Sequence, residues 1–164
     1  MSNFVPNDGF VIAQAIADTS TVQLLPLGTR VKAVDNASTA YGEGEFIYLK
    51  GVASTAIGSC VLINQDDFST SLLAANDIGD VAFAMSANVA SSFGWYQIYG
   101  KAVGKVLASF ADNANCYATA TAGSIDDAVV AGDRIKKCKG ASAIDAGLAE
   151  LEIAYPFVDD GLAA

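Results

Sequence analysis

The sequence predicts an all-β (mainly β) domain, a small sandwich or barrel with an extended N-terminal arm and a few short helices. Turn signals recur about every ten residues, which is typical of these architectures. The segments between them are rich in β-branched and aromatic residues, and no helical period persists over three turns. The 164 residues fit one domain. We divide the chain into an arm, residues 1–21, and a single β-rich domain, residues 22–164.

The arm combines apolar side chains with interruptions of regular structure. Pro6 and Gly9 break any long element, and residues 10–17 are compatible with one or two helical turns. An apolar segment without a clear period needs a surface to lie on. Its own domain and a neighbouring subunit both remain open as that surface. The candidate contact residues of the arm are Phe4, Val5, Phe10, Val11, Ile12 and Ile16.

The strands are predicted from residue 29 onward. Segment 71–75 is compatible with either strand or helix, and short helices are possible at 70–77 and 86–92. In the last strand, strict alternation places the odd-numbered side chains from Ala149 to Phe157 on one face. Pro156 should lie at a strand end or edge, because it has no amide hydrogen to donate. The predicted strands are 29–34, 45–52, 59–64, 71–75, 80–85, 93–106, 115–121, 133–139 and 149–157.

Segment 93–106 carries the richest local pattern. Alternation places Trp95 and Tyr99 on one face and Tyr96 on the other, so both faces are bulky. This pattern is typical of a strand that is buried on both sides or lies at an interface. We take these three aromatic residues as candidate protein contacts, with a carbohydrate-stacking platform as the alternative. The glycines at 94, 100 and 104 predict bulges or close backbone contacts.

Composition and charge restrict the possible partners. Charged residues make up 16% of the chain and hydrophobic residues 52%, whereas an average chain carries about 25% charged residues. A chain this poor in charge is expected to bury part of its exterior against partners. The net charge of −9 argues against binding nucleic acid or an anionic membrane surface.

A basic cluster is the local exception to this acidity. We favour a solvated strand edge, which lysines protect from unwanted pairing. A binding site for an acidic patch on a partner is the alternative. The cluster consists of Arg134, Lys136, Lys137 and Lys139.

The side chains needed for catalysis are scarce. There is no His, which removes the commonest general base and metal ligand. The three cysteines, Cys60, Cys116 and Cys138, are predicted to be reduced, small buried hydrophobes. We therefore predict a protein that is not an enzyme and has no cofactor and no metal site.

Three adjacent acidic pairs are interpreted as turns, because Asp side chains bond nearby backbone amides. A calcium site and a pair of hydrolytic carboxylates drawn from Asp66, Asp67, Asp126 and Asp127 are weaker alternatives. The pairs lie at 66–67, 126–127 and 159–160. The first residues lack the basic and apolar regions of a signal peptide, so synthesis in a cytoplasm is expected.

Four segments resemble the capsid decoration (cement) proteins of tailed bacteriophages. The resemblance lies in overall pattern and runs over most of the chain, from about residue 29 to residue 160, with no catalytic motif. The segments are GEGEFIYLKGV (42–52), LLAANDIGDVAFAMSANVASSFGWYQIYGKAV (72–103), ATATAGSIDDAVVAGDRIK (118–136) and LEIAYPFVDD (151–160).

The resemblance implies a β-rich virion structural protein that binds the major capsid protein. Such a protein would form homotrimers on the outer capsid surface, after synthesis in the host cytoplasm, and would reinforce the shell against the pressure of packaged DNA. The arm would reach onto the capsid or a neighbouring subunit. A tail or fibre component, or a β-rich carbohydrate- or ligand-binding module, remains the alternative.

Overall fold

The computed structural model of this chain describes residues 3–7, 9 and 12–159. The described residues form twelve strands joined in antiparallel pairs into one open sheet, with no helix. This confirms the all-β prediction and is compatible with a sandwich-like domain. The described part of the chain also contains no helix long and apolar enough to cross a membrane. The strands are β1 Phe4–Pro6, β2 Thr19–Ser20, β3 Arg30–Asp35, β4 Glu43–Lys50, β5 Cys60–Ile63, β6 Thr70–Leu72, β7 Gly79–Ala84, β8 Phe93–Lys105, β9 Asn115–Ala118, β10 Ile125–Asp126, β11 Arg134–Gly140 and β12 Leu148–Val158.

Strand β8 is the centre of the sheet. The strand order is β1-β3-β4-β8-β7-β12-β11-β9-β10, with β2 added to β8 and the β5–β6 pair added to β7. The first half of β8 pairs with β4, and its second half pairs with β12 from Tyr99 to Lys105. Because β8 changes its neighbours along its length, it joins the two halves of the domain.

The core has three apolar clusters, and β4 and β8 separate two of them. Phe46, Tyr48 and Trp95 lie in one cluster, whereas Ile47 and Tyr96 lie in another. Successive residues of each strand therefore face different clusters, as the period of two requires. The prediction that the 93–106 strand is buried on both sides is confirmed over its first half.

Every predicted strand overlaps an observed strand, but two of the segments in which a short helix is possible form none. Residues 70–72 form β6, and residues 86–92 form turns and bends. The second segment is held by Asn88, whose buried side-chain amide donates to Leu49 O (3.4 Å) and to the Tyr96 hydroxyl (3.0 Å). In the remaining segment in which helical turns are possible, residues 10–17, the described residues 12–17 form bends and turns. Phe10 and Val11 lie outside the described residues.

The predicted face of the last strand is also wrong beyond Ile153. Tyr155 is 46% exposed and Phe157 is 39% exposed, although alternation placed them with the buried side chains. From the pair Cys138↔Ile153 to the pair Lys136↔Phe157, the chain advances by four residues along β12 but by only two residues along β11. The resulting bulge, with Tyr155 at a φ of 55°, reverses the faces of the strand. Pro156 lies inside this bulge rather than at a strand end or edge.

Candidate interaction surface

The N-terminal segment is packed onto its own domain. Phe4 is 8% exposed and meets the ring of Phe46 edge to face at 4.8 Å. Ile16 is buried, and Ile12 is half-buried against the same cluster. Val5 is 41% exposed and pairs in register with Val34, which is 37% exposed. Of the described candidates in this segment, Val5 therefore offers the largest exposed fraction.

Gln14 fixes this segment to the core by hydrogen bonds. Its Oε1 accepts from the Tyr48 hydroxyl at 2.8 Å, and its Nε2 donates to Phe93 O at 2.9 Å. Its backbone carbonyl accepts from Trp95 Nε1 at 3.0 Å. Because the Gln14 side chain is only 5% exposed, these bonds form in a region shielded from water, where their loss is costly.

Of the three aromatic candidates in β8, the structure leaves one on the surface. Trp95 and Tyr96 are both 0% exposed, whereas Tyr99 is 44% exposed. Trp95 and Tyr96 therefore belong to the core and present no surface to a partner, contrary to the contact role predicted for them.

Tyr99 lies beside Tyr155 at the centre of an exposed surface. The two ring centroids are 5.5 Å apart with an interplanar angle of 36°. We name this surface the tyrosine face, and it is formed by the outward side chains of neighbouring strands β3, β4, β8 and β12. Its residues are Tyr99, Tyr155, Arg30, Lys32, Glu43 and Glu45.

The charges of the tyrosine face are arranged around Glu45. Its Oε2 accepts from the Tyr155 hydroxyl at 2.7 Å, and its Oε1 lies 3.8 Å from the Arg30 guanidinium. The hydrogen bond to Glu45 raises the pKa of Tyr155 above its ordinary value. Tyr155 therefore stays a neutral hydroxyl at neutral pH, and nearly half of the residue remains exposed.

A groove of about 720 Å³ adjoins this face on the far side of Tyr99. We name it the basic groove, because cations of β11 form one of its walls. Tyr99 also lines a second concavity, of about 320 Å³, together with Lys32 and Tyr155, so it forms the ridge between the two. The residues of the basic groove are Glu43, Tyr99, Gly100, Asn115, Arg134, Lys137, Cys138, Lys139, Glu152, Ile153 and Ala154.

The basic cluster does not lie on a strand edge, contrary to the favoured prediction. Strand β11 is paired on both sides, with β12 and with β9. Local composition predicted a lysine-rich strand correctly, but it carries no information about which strands become its neighbours. The opposite wall, with Glu43 and Tyr99, is distant in sequence, so no local signal could have identified the groove.

The turn interpretation of the acidic pairs is confirmed for Asp66 and Asp67, which lie in a turn, and is wrong for Asp126, which lies in β10. Asp67 Oδ1 accepts from the amide of Ser69 at 3.0 Å and from its hydroxyl at 2.6 Å, a turn that lowers the pKa of Asp67. Asp127 Oδ2 accepts from the amide of Ala111 at 3.0 Å, and Asp159 pairs with Lys136. Asp160 lies outside the described residues.

All three cysteines are free and buried, in one core cluster. Burial raises the pKa of Cys60 well above its ordinary value, and a hydrogen bond with Cys116 together with burial does the same for Cys138. Within the described ranges, no group of three or more His, Cys, Asp or Glu side chains is arranged to hold a metal ion.

Comparison of the chain with protein-family models, with curated proteins and with solved structures finds no match in any of the three. Assignment of its function therefore depends on the geometry of its surface and on the resemblance of its segments.

Proposed function

We propose that this chain is a virion structural protein, a capsid decoration protein that binds the major capsid protein on the outer shell and stabilises it. The tyrosine face is the observation that carries the proposal. Tyr and Arg are enriched at protein interfaces and at their energetic centres. Here Tyr99, Tyr155 and Arg30 meet on one exposed surface.

The support beneath this face favours recognition of a large, rigid partner. Its side chains project from four hydrogen-bonded strands, so the backbone beneath them loses little conformational entropy when a partner binds. Phe46 and Ile47 of β4 are 0% and 1% exposed and anchor the strand from which Glu45 projects. A preformed surface of this kind suits a stable contact with a partner.

A second exposed surface suits association between copies, and we assign it to the proposed homotrimer. Val129 is 80% exposed, and Ile78 and Val130 are 54% and 44% exposed. Their loops are joined by a hydrogen bond from the amide of Asn76 to Asp133 Oδ1 at 2.7 Å. Where such exposed aliphatic side chains form one contiguous patch, the patch marks an interaction site.

Immunogold labelling of purified virions tests the location. Antibody raised against the chain should label the outer surface of intact, DNA-filled heads. Virions that lack the gene should release their DNA at a lower temperature, and added protein should restore the wild-type temperature. Label on tails or fibres, or deletion virions with an unchanged release temperature, would set the decoration role aside.

Cosedimentation with heads from the deletion virions tests the face. Removal of both rings, by Tyr99→Ser with Tyr155→Ser, should weaken binding about tenfold or more, as expected for central interface residues. Val22→Ser is the matched control, because it removes a side chain that is 62% exposed outside both surfaces. Equal binding by the double variant and the control would count against the tyrosine face.

A carbohydrate-binding module is the second candidate, and the same two rings favour it. Exposed aromatic faces provide stacking surfaces, and Tyr99 and Tyr155 take the place that the sequence assigned to Trp95. A glycan array separates the two proposals. Retention of a specific glycan that the Tyr99→Ser variant fails to retain would favour the module, whereas an array without signal would favour the structural role.

A further inference from the structure

The basic groove concentrates the positive charge of an acidic chain. The whole sequence has nine Lys and Arg residues against eighteen Asp and Glu. Three of these nine, Arg134, Lys137 and Lys139, line the single groove of about 720 Å³. That volume lies within the roughly 300–1,000 Å³ typical of ligand sites.

Two of these cations have no carboxylate partner in the part of the chain that the structure describes. Lys139 Nζ lies 3.1 Å from Glu152 Oε2, so the charges of this pair offset each other. Arg134 donates only to the neutral Asn115 Oδ1 at 3.1 Å, and Lys137 forms no ion pair with a described residue. Across the groove, the Glu43 carboxylate accepts from the Asn7 side-chain amide at 2.7 Å. The β11 wall therefore retains two positive charges without a carboxylate partner, and Glu43 on the opposite wall retains its negative charge.

The backbone at Lys137 is unusual for a lysine. Its φ of 58° lies in the left-handed region, which favours glycine. In the pairing of β11 with β12 the register shifts between Lys136 and Cys138, and in its pairing with β9 the register shifts between Ile135 and Lys139. A charged side chain thus stands at a strained position in a bulge, one of nine positive-φ positions other than glycine among the described residues.

The three cations lie close together on β11, because the strand bulges between them: Arg134 pairs with Tyr117 and Lys139 with Asn115, two residues apart on β9. The carboxylates of Glu43 and Glu152 lie among the lining residues and would repel a continuous row of phosphates. A peptide that places a few carboxylates beside β11 avoids that repulsion.

We propose that the basic groove binds an acidic segment of a protein partner. Arg134 and Lys137 contact its carboxylates, and the ring of Tyr99 packs against the segment between them. The proposal deepens the proposed function, on which it rests for the partner: the segment belongs to the shell protein to which the tyrosine face is assigned.

Fluorescence anisotropy at low ionic strength tests the groove by itself. The probe is a labelled peptide Ser-Glu-Ser-Glu-Ser-Glu-Ser, and its counterpart has Gln at each Glu. Arg134→Gln with Lys137→Gln should raise the Kd for the Glu peptide about fivefold or more, as expected for the loss of two exposed charge contacts. The control, Lys50→Gln with Lys105→Gln, changes the net charge equally outside the groove and should change the Kd less than about twofold.

A second variant separates binding from folding. Lys137→Gly removes the charge and also relieves the left-handed backbone, so it should raise the Tm while it weakens binding of the Glu peptide. Equal weakening by the control pair, equal binding of the Gln peptide, or no binding of the Glu peptide to the wild-type chain would each overturn the proposal. Tighter binding of a single-stranded oligonucleotide than of the Glu peptide would overturn the class of partner.

The peptide assay tests the groove and virion labelling tests the decoration role, so either proposal can be rejected while the other stands. Selective peptide binding by a chain that does not label heads would support the groove and reject the decoration role. Labelled heads, together with a groove variant that binds the Glu peptide as the wild type does, would support the decoration role and reject the groove.

Discussion

Gly100→Ala tests the close approach of β8 and β4 beside the tyrosine face. Gly100 has a φ of +101°, and a Cβ placed on it would lie 2.6 Å from the carbonyl oxygen of Glu43 and 3.1 Å from Gly44 Cα. Both neighbours are backbone atoms of β4, so they can move only if the strand moves. The substitution therefore combines backbone strain with a steric clash.

The two contributions give an expected loss of stability. A residue other than glycine at such a φ costs about 1–3 kcal/mol, and overpacking against a fixed neighbour costs about 1–3 kcal/mol more. We expect a total of about 4 kcal/mol. Gly42→Ala is the matched control, because Gly42 has a φ of +64° but no atom within 4 Å of its added Cβ, and it should lose only about 1 kcal/mol.

Urea unfolding followed by tryptophan fluorescence measures the difference. Trp95 is the only tryptophan and is 0% exposed, so its emission should shift to longer wavelength when the chain unfolds. The difference of about 3 kcal/mol corresponds to a Tm gap of roughly 10 °C in calorimetry for a chain of this size. If Gly100→Ala loses no more stability than Gly42→Ala, the close approach of the two strands contributes nothing and the reasoning is refuted.

Three further predictions concern the core and the acid range. Trp95→Phe removes the indole donor to the Gln14 carbonyl and should cost roughly 2–3 kcal/mol in calorimetry; an unchanged Tm would contradict this role. The hydrogen bond from the Ser38 hydroxyl, and after it the one from the Asn3 amide, lowers the pKa of Asp35 in the folded chain. The ionised Asp35 therefore stabilises the fold above its unfolded pKa of about 4, and this contribution is lost as pH falls through the folded pKa. The Tm gap between the wild type and Asp35→Asn should therefore be widest at neutral pH and close in acid, and a gap independent of pH would argue against it. All three cysteines should resist a thiol reagent in the native chain at pH 8 and react after denaturation, because they are buried; rapid reaction of one native thiol would contradict their placement.

Strand positions could be predicted because their signals are local. Turn residues and alternation lie within a few residues of each strand, as in the run that became β4, and they predict the same element in any context. The burial of Trp95 and Tyr96 on opposite faces follows from the same alternation. Strand order determines which bulky residues enter the core and which remain exposed, and these local signals do not predict strand order.

The errors come from contacts between distant parts of the chain. Tyr155 turned outward because β12 leaves β8 after Ala154 and continues beside β7 from Phe157, which requires a bulge that alternation does not predict. The basic cluster was assigned to an edge because composition does not indicate that β9 and β12 flank β11. A candidate surface that joins residues from β3, β4, β8 and β12 depends entirely on such pairing, so the sequence indicated Tyr99 but not its neighbours.

The position of β12 in the sheet has a consequence for biosynthesis. This strand follows the eleven others in chain order, yet it pairs with β7, β8 and β11, and its Leu151 is 0% exposed. Until the ribosome has delivered residues 148–158, each of those three strands lacks one of its partners, although β7, β8 and β11 can already pair with β5, β4 and β9, and the apolar side chains that β12 covers remain open to aggregation. The domain therefore closes late, in a step that joins strands made far apart in time, and a nascent chain interrupted before residue 148 would be a substrate for chaperones and proteases.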